Sequence, residues 1–332
     1  MRVLILGGTA WLGGRAAAAA LATGHEVVCL ARGSAPVPNG AVLVRADRDA
    51  PGAYDAVTGN RWDLVLDVSR QPGQVRRAVE ALEPVADRLV FVSSGNAYAD
   101  QSTPGQDESA PLLPALEGDV MESMEMYGRA KVACEQHVLR SFGPDRSLIA
   151  RVGLIGGPGD IFDRTGYWPL RFHSPAAADG SVLVPDTPDL PTQVIDVRDL
   201  AAWLIAAGTA GVAGVVNAGG VTLPLGTHLE VARGVAGHTG RLVPADLDWL
   251  LAHGVEPWAG ERSLPLWLPA GWTGLNARDG RRAREAGLVC RPLADTLADT
   301  LAWELGRDRS VPRRAGLPDD VERELLAALA AR

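Results

Sequence analysis

The chain has 332 residues, a formal net charge of −8 and 47% hydrophobic residues, length enough for one large domain or two intimate ones. The acidic balance excludes sequence-independent nucleic-acid binding, which needs a basic surface. Three scattered cysteines (Cys29, Cys134, Cys290) and six histidines give neither a disulfide framework nor metal-ligand spacing, so a cytoplasmic protein without a metal site is expected.

From the N-terminus, residues 2–6 read as a short buried strand, and Gly7-Gly8-Thr9 ends the apolar run too soon for a signal peptide. A glycine turn over 7–14, a helix over 16–22 and an apolar strand over 25–31 make a βαβ unit. In such a unit Gly7 permits the tight turn, Gly13 permits close helix–strand packing, and the helix N-terminus faces a pyrophosphate. Ala10 stands where the usual fingerprint has its middle glycine. The second strand ends in Leu30-Ala31-Arg32-Gly33-Ser34, without the acid that an NAD site uses to hold the ribose 2′-hydroxyl. Arg32 and the Ser34 hydroxyl suit a 2′-phosphate, which predicts NADP rather than NAD.

Strands follow over 41–45, 64–68, 88–93 and 148–152, with helices over 75–82 and 124–142. This alternation predicts an α/β fold with a Rossmann-type, doubly wound parallel sheet. Asp47 and Arg48, after the third strand, are placed to meet an adenine. Val68, Ser93 and Val152, at the carboxyl ends of their strands, join the expected cofactor-binding set, and Ser94 lies on the same ligand-binding edge. The run over 200–216 is broken by Gly208, Gly211 and Gly214 and reads as a buried helix followed by a strand, not a membrane span.

Tyr127 and Lys131 are four apart on the helix over 124–142 and so share a face. A phenol titrates near 10 in water, and a neighbouring ammonium favours its ionised form. A serine hydroxyl nearby would hold the oxygen that gains or loses the proton. The same spacing also occurs on ordinary solvated helix faces, so the rest of the chain decides its meaning.

The motifs Gly7-Gly8-Thr9 with Leu12-Gly13, Val90-Phe91-Val92-Ser93-Ser94 with Ala97-Tyr98, and Tyr127-Gly128-Arg129-Ala130-Lys131 occur in order. Arg151-Val152-Gly153-Leu154, Gly157-Pro158-Gly159-Asp160 and Ile195-Asp196-Val197-Arg198-Asp199-Leu200-Ala201 follow. Over residues 1 to about 220 the chain thereby resembles the extended short-chain dehydrogenases/reductases, also called the NAD-dependent epimerase/dehydratase family. With Ala10 and the aromatic Trp11, the turn is similar to a subgroup reading Gly-Gly-Thr-x-aromatic-Leu-Gly. The resemblance implies Ser94, Tyr127 and Lys131 as catalytic trio, Gly7, Thr9, Leu12 and Gly13 in the cofactor turn, and Tyr127 and Lys131 also at the cofactor. Val152 stands where the family mostly has proline. Gly95-Asn96 replaces the Asp-Glu pair that nucleotide-sugar dehydratases carry after the catalytic Ser/Thr, which argues against sugar dehydration.

Beyond Gly156, Trp168, Trp249, Trp258, Trp267 and Trp272 fall in Pro- and Gly-rich segments, where they either line an apolar pocket or fill a small core. Arg164, Tyr167, Trp168 and Arg171 are read as a loop available to substrate. Residues 319–331 read as a capped amphipathic helix that docks on the protein or on a second subunit. The expected organisation is an NADP-binding domain over 1–155 and 192–219 and a substrate domain over 156–191 and 220–332. The expected activity is NADP-dependent carbonyl reduction or alcohol oxidation on a small molecule, by a monomer or homodimer without nucleic-acid or membrane partners. The alternatives are a nucleotide-sugar epimerase/dehydratase with tightly held cofactor and a non-catalytic NADP-binding regulator.

Overall fold

A computed structural model describes residues 1–308 and 310–331. In chain order the elements are β1 (Arg2–Leu6), α1 (Trp11–Ala22), β2 (Glu26–Ala31), β3 (Val42–Arg45), α2 (Asp55–Thr58), β4 (Leu64–Asp67), α3 (Pro72–Leu82) and β5 (Leu89–Ser94). There follow α4 (Tyr127–Phe142), β6 (Ser147–Val152), β7 (Leu154–Gly156), α5 (Tyr167–His173), β8 (Val182–Pro185), β9 (Pro191–Asp196), α6 (Val197–Thr209) and β10 (Gly214–Ala218). The rest comprises β11 (Thr222–Pro224), α7 (Leu225–Ala236), β12 (Leu242–Ala245), α8 (Leu247–Ala252), α9 (Arg281–Glu285), α10 (Leu293–Leu305) and α11 (Asp319–Ala330), with some shorter pieces. Among the described residues no helix is long and apolar enough to cross a membrane.

The chain divides into two compact units, one of residues 1–153, 197–219 and 278–289, the other of 154–196, 220–277 and 290–332. In the first, seven parallel strands run in the order β10-β6-β5-β4-β1-β2-β3. Strands buried on both faces carry near-continuous apolar runs, and every residue of β4, β5 and β6 is buried. Val75 and Val79 of α3 and Cys134 and Val138 of α4 pack on Leu4, Leu6, Phe91 and Ile149. On α6, a Cβ at Gly208 would come within 2.8 Å of Val90 and 2.9 Å of Leu64, so that helix lies directly on the sheet. The order reverses between β1 and β4, and that switch point is where open α/β sheets bind ligands.

Around the second unit's core of Trp168, Phe172, Leu183, Leu229, Leu297 and Leu325 lie the short sheets β11-β9-β7 and β12-β8. Of the residues read as a substrate-facing loop, Tyr167, Trp168 and Arg171 are helical and inward here, while Arg164 lies half-buried in the bend before α5. Tyr167 and Trp168 are 2% and 0% exposed, and Trp168 donates its indole N–H to the Pro265 carbonyl at 2.8 Å. Arg171 binds Asp319, Glu322 and the Leu317 carbonyl, so it anchors α11 instead of being held out to a substrate. Trp267 is buried and Trp272 exposed. The N-terminus of α11 carries no side-chain cap, and the helix docks within its own unit, with Glu322 accepting the Leu183 N–H.

Three expected boundaries move, the first placing residues 154–155, the start of β7, in the second unit. Residues 192–196 belong to the second unit because β9 pairs with β7 and β11. Residues 278–289 belong to the first, because Arg278 donates to the Asp100 carbonyl and Gln101, and Trp203 donates to the Ala286 carbonyl.

Candidate active site

The helix α1 begins at Trp11, earlier than the periodicity predicts, so Leu12 and Gly13 lie in its first turn. Gly7 has φ 95°, which favours glycine, and a Cβ there would come within 2.7 Å of Val68 Cγ2. A Cβ on Gly13 would overlap the Gly7 carbonyl. The turn, α1 and the end of β4 therefore meet at the switch point. The helix has neither a side-chain N-cap nor an acidic residue in its first turn, which leaves its positive end to an anion. This cradle, with Ala10 exposed at its lip, fits a dinucleotide pyrophosphate.

Arg32 and Ser34 are exposed at the end of β2, and Ser34 Oγ lies 3.5 Å from Thr9 Oγ1. A residue that sequence reasoning missed joins them. Arg45 ends β3 opposite Ala31, and a Cβ on Gly33 would come within 2.5 Å of its Nη1. Only the β2–β3 register could have revealed it. Asp47 is exposed and accepts the Asp49 N–H at 3.1 Å.

Arg48 is not available to an adenine. Its Nε donates to Tyr54 Oη at 2.8 Å, Nη1 to Asp67 Oδ1 at 2.8 Å and to Ser69 Oγ, and Nη2 to Asp67 Oδ2 at 2.7 Å and the Gln74 carbonyl at 3.1 Å. These bonds use all five guanidinium donors. The pair is deeply buried, with Arg48 7% and Asp67 0% exposed. Burial alone would push the Asp67 carboxyl up, but the adjacent guanidinium reverses this and holds it below the ordinary range.

Lys131, 2% exposed, donates from Nζ to the Ser69 carbonyl at 2.6 Å and the Val92 carbonyl at 2.7 Å. Its Nζ stands 5.8 Å from the Tyr127 ring centroid. Tyr127 is half-buried at the first turn of α4, and the next residue, Gly128, abuts the main chain of Asn96. Ser94 ends β5, and its Oγ accepts the Asn96 N–H and donates to Asn96 Oδ1, both at 3.2 Å. The structure thus brings the start of α4 onto the segment 92–96, and it pairs Ser94 with the buried Val152 across β5–β6.

Ser93 points the other way, donating to Glu135 Oε1. Glu135 also receives Arg151 Nε at 3.0 Å and Nη2 at 2.7 Å, one helical turn beyond Lys131. Ser93 is therefore spent on this buried network, not offered to a cofactor. Behind it, Tyr98 donates to Asn217 Oδ1 at 2.6 Å, with Arg151 and Arg278 over its ring at 4.8 and 4.3 Å. Burial pushes the Cys29 and Cys134 thiols up to about 11 and about 12, which leaves them unreactive. Among the described residues no group of three or more His, Cys, Asp or Glu is placed to hold a metal ion.

Comparison with known proteins agrees with this architecture. The chain is 29% identical over 160 residues to 2′-dehydrokanamycin reductase of Streptomyces kanamyceticus, covering 47% of this chain and 43% of that protein. It is 28% identical over 179 residues to dTDP-6-deoxy-L-talose 4-dehydrogenase (NAD(P)(+)) of Kitasatospora kifunensis, covering 48% and 54%. The matches thus span about half the length of these curated relatives. The fold is that of the Thermus thermophilus UDP-glucose 4-epimerase complex with NAD, at TM-score 0.66 and 18% identity over 93% of this chain and 100% of that one. Residues 3–219 match the model of the NAD dependent epimerase/dehydratase family. With its parallel sheet, glycine cradle and Tyr127–Lys131 helix, the chain belongs to that family of NAD(P)-dependent enzymes.

Proposed function

We propose that the chain is an NADP-dependent oxidoreductase that interconverts a carbonyl and an alcohol on a small-molecule substrate. The observation that carries this reading is the buried Lys131, tied to the Ser69 and Val92 carbonyls, beside Tyr127 on a helix seated against the end of β5. A nicotinamide dinucleotide, when bound, supplies or accepts the hydride. The α1 N-terminus with Gly7 and Gly13 would hold its pyrophosphate, and Arg32, Arg45 and Ser34 its 2′-phosphate. In the reductive direction Tyr127 gives its proton to the substrate oxygen, and Ser94 Oγ releases Asn96 to hydrogen-bond that oxygen. An ammonium has three donors, so Lys131 retains one N–H for the ribose.

The names of the two curated relatives, a reductase and a 4-dehydrogenase, support net oxidation or reduction. So does Gly95-Asn96 after Ser94. The test is stoichiometry. Purified protein is incubated with NADPH or NADP and a panel of ketonic and hydroxylic sugars, and the nicotinamide absorbance is followed. A change in proportion to product supports the proposal. Product formed with no net change assigns the chain to the epimerases or dehydratases instead, and tighter binding of NADH than NADPH overturns the cofactor choice.

A further inference from the structure

The buried Arg48–Asp67 pair and the Lys131 ammonium meet at a single residue, Ser69. Its main-chain N–H donates to Asp67 Oδ1 at 2.8 Å, and its Oγ accepts from Arg48 Nη1. Its carbonyl accepts from Lys131 Nζ at 2.6 Å. Two of the groups that orient Ser69 thus come from the ion pair, and the third delivers that orientation to the lysine. The other carbonyl on Lys131, Val92, is fixed by β5 within the sheet. With two ammonium donors pinned by carbonyls, tetrahedral geometry sets the direction of the third.

Stability alone does not call for an ion pair at this place. Desolvating two charges costs about as much as their attraction returns, and well-packed apolar residues would often serve as well. What apolar residues cannot do is hold Ser69 by its N–H and its hydroxyl, the two bonds that position the residue whose carbonyl meets Lys131. Asp67 takes the N–H and Arg48 the hydroxyl, the fully used Arg48 fork also holding Asp67. Tyr54 Oη, which accepts from Arg48 Nε, donates in turn to the Gln74 carbonyl at 3.0 Å.

We propose that Arg48 and Asp67 are positioning residues for Lys131, setting through the Ser69 carbonyl the direction in which its remaining N–H meets the cofactor ribose. The proposal rests on Lys131 meeting the dinucleotide, as proposed above. It reassigns Arg48 from direct contact with the cofactor to action through another side chain.

A double-mutant cycle on NADPH affinity tests it, with Asp67→Asn, Lys131→Met and the double variant, read by fluorescence titration of the folded proteins. Lys131→Met loses one charge-assisted bond to the ribose and should bind about tenfold more weakly. Asp67→Asn should weaken binding severalfold in the parent background and add nothing in the Lys131→Met background. Independent contributions would mark the pair as purely structural and overturn the proposal. Unchanged affinity in Lys131→Met would instead remove the role of Lys131 itself. Tyr54→Phe loosens the same fork without unbalancing a buried charge. If Asp67→Asn fails to fold, the same cycle run with Tyr54→Phe decides by the same criterion, at about two- to threefold effect.

Discussion

Gly128 and Asn96 are in backbone contact: a Cβ on Gly128 would overlap the Asn96 carbonyl and fall 2.7 Å from Leu113 Cδ1. This contact seats the residue after Tyr127 on the residue two beyond Ser94, so it fixes the separation of the two candidate catalytic groups. Alanine is normally the better helix former by about 1 kcal/mol, but overpacking against main chain costs about 1–3 kcal/mol. Gly128→Ala should therefore lower the unfolding temperature. It should also reduce turnover far more than NADPH affinity, because the cradle at Gly7 and Gly13 is untouched. Equal losses in both would mean that the contact supports the whole unit and not the catalytic spacing.

Arg45 provides the test of cofactor choice that the sequence did not offer. If Arg32, Arg45 and Ser34 share a 2′-phosphate, Arg45→Ala removes one charged hydrogen bond, about 1.5–3 kcal/mol or roughly tenfold or more in affinity. NADPH binding should weaken by that factor while NADH binding stays unchanged. Calorimetric titration with both dinucleotides makes the comparison, and a parallel loss for both would remove Arg45 from the phosphate site.

Tyr127→Phe deletes one oxygen from a half-buried side chain and leaves the bonds of Lys131 to Ser69 and Val92 in place. Loss of a positioned acid typically costs about 10²–10⁴-fold in rate. Turnover should collapse while NADPH affinity and thermal stability stay near those of the parent. A variant that keeps the parent rate would return the Tyr127–Lys131 spacing to an ordinary helix face.

His228 of α7 is 1% exposed, and its Nε2 has no hydrogen-bond partner among the described residues. Burial holds its pKa down, from 6.5 to about 4. The unfolded chain therefore binds a proton near 6.5 that the folded chain refuses until about 4. Stability consequently rises with pH across that window and falls on acidification, by about 3 kcal/mol from this group. His228→Leu should remove this component. Urea unfolding of parent and variant near neutrality and near pH 4 should show the variant gaining about that much relative to the parent. An unchanged difference would place the proton-linked loss elsewhere.

The parallel sheet was legible because strands such as Leu89–Ser94 are buried on both faces and carry unbroken apolar residues. The Tyr127–Lys131 face was legible because one helix sets it. Arg48 was misplaced because its partners, Asp67, Ser69, Tyr54 and Gln74, converge only once β4 and the surrounding turns have folded, and no periodicity encodes that meeting. Arg45 escaped for the same reason, since the β2–β3 register brings it to Gly33. Arg171 read as a substrate-facing loop residue because its partners Asp319 and Glu322 lie far along the chain. Short strands such as Leu154–Gly156 and Thr222–Pro224 hold too few residues for alternation to declare itself.

The chain's repeated passage between the two units has a consequence for its birth on the ribosome. When residue 153 emerges, six of the seven strands exist, but α6, β10 and the segment 278–289 do not. The sheet at that moment lacks the helix that brings Gly208 down on Leu64 and Val90, and its β6 edge is unpaired. At about 5–20 residues per second, on the order of ten seconds pass before residue 289 arrives. Through that interval the nascent sheet exposes apolar surface that its later segments will cover. Slowing translation after residue 153 should therefore increase aggregation, whereas pauses beyond residue 289 should leave the yield of folded protein unaffected.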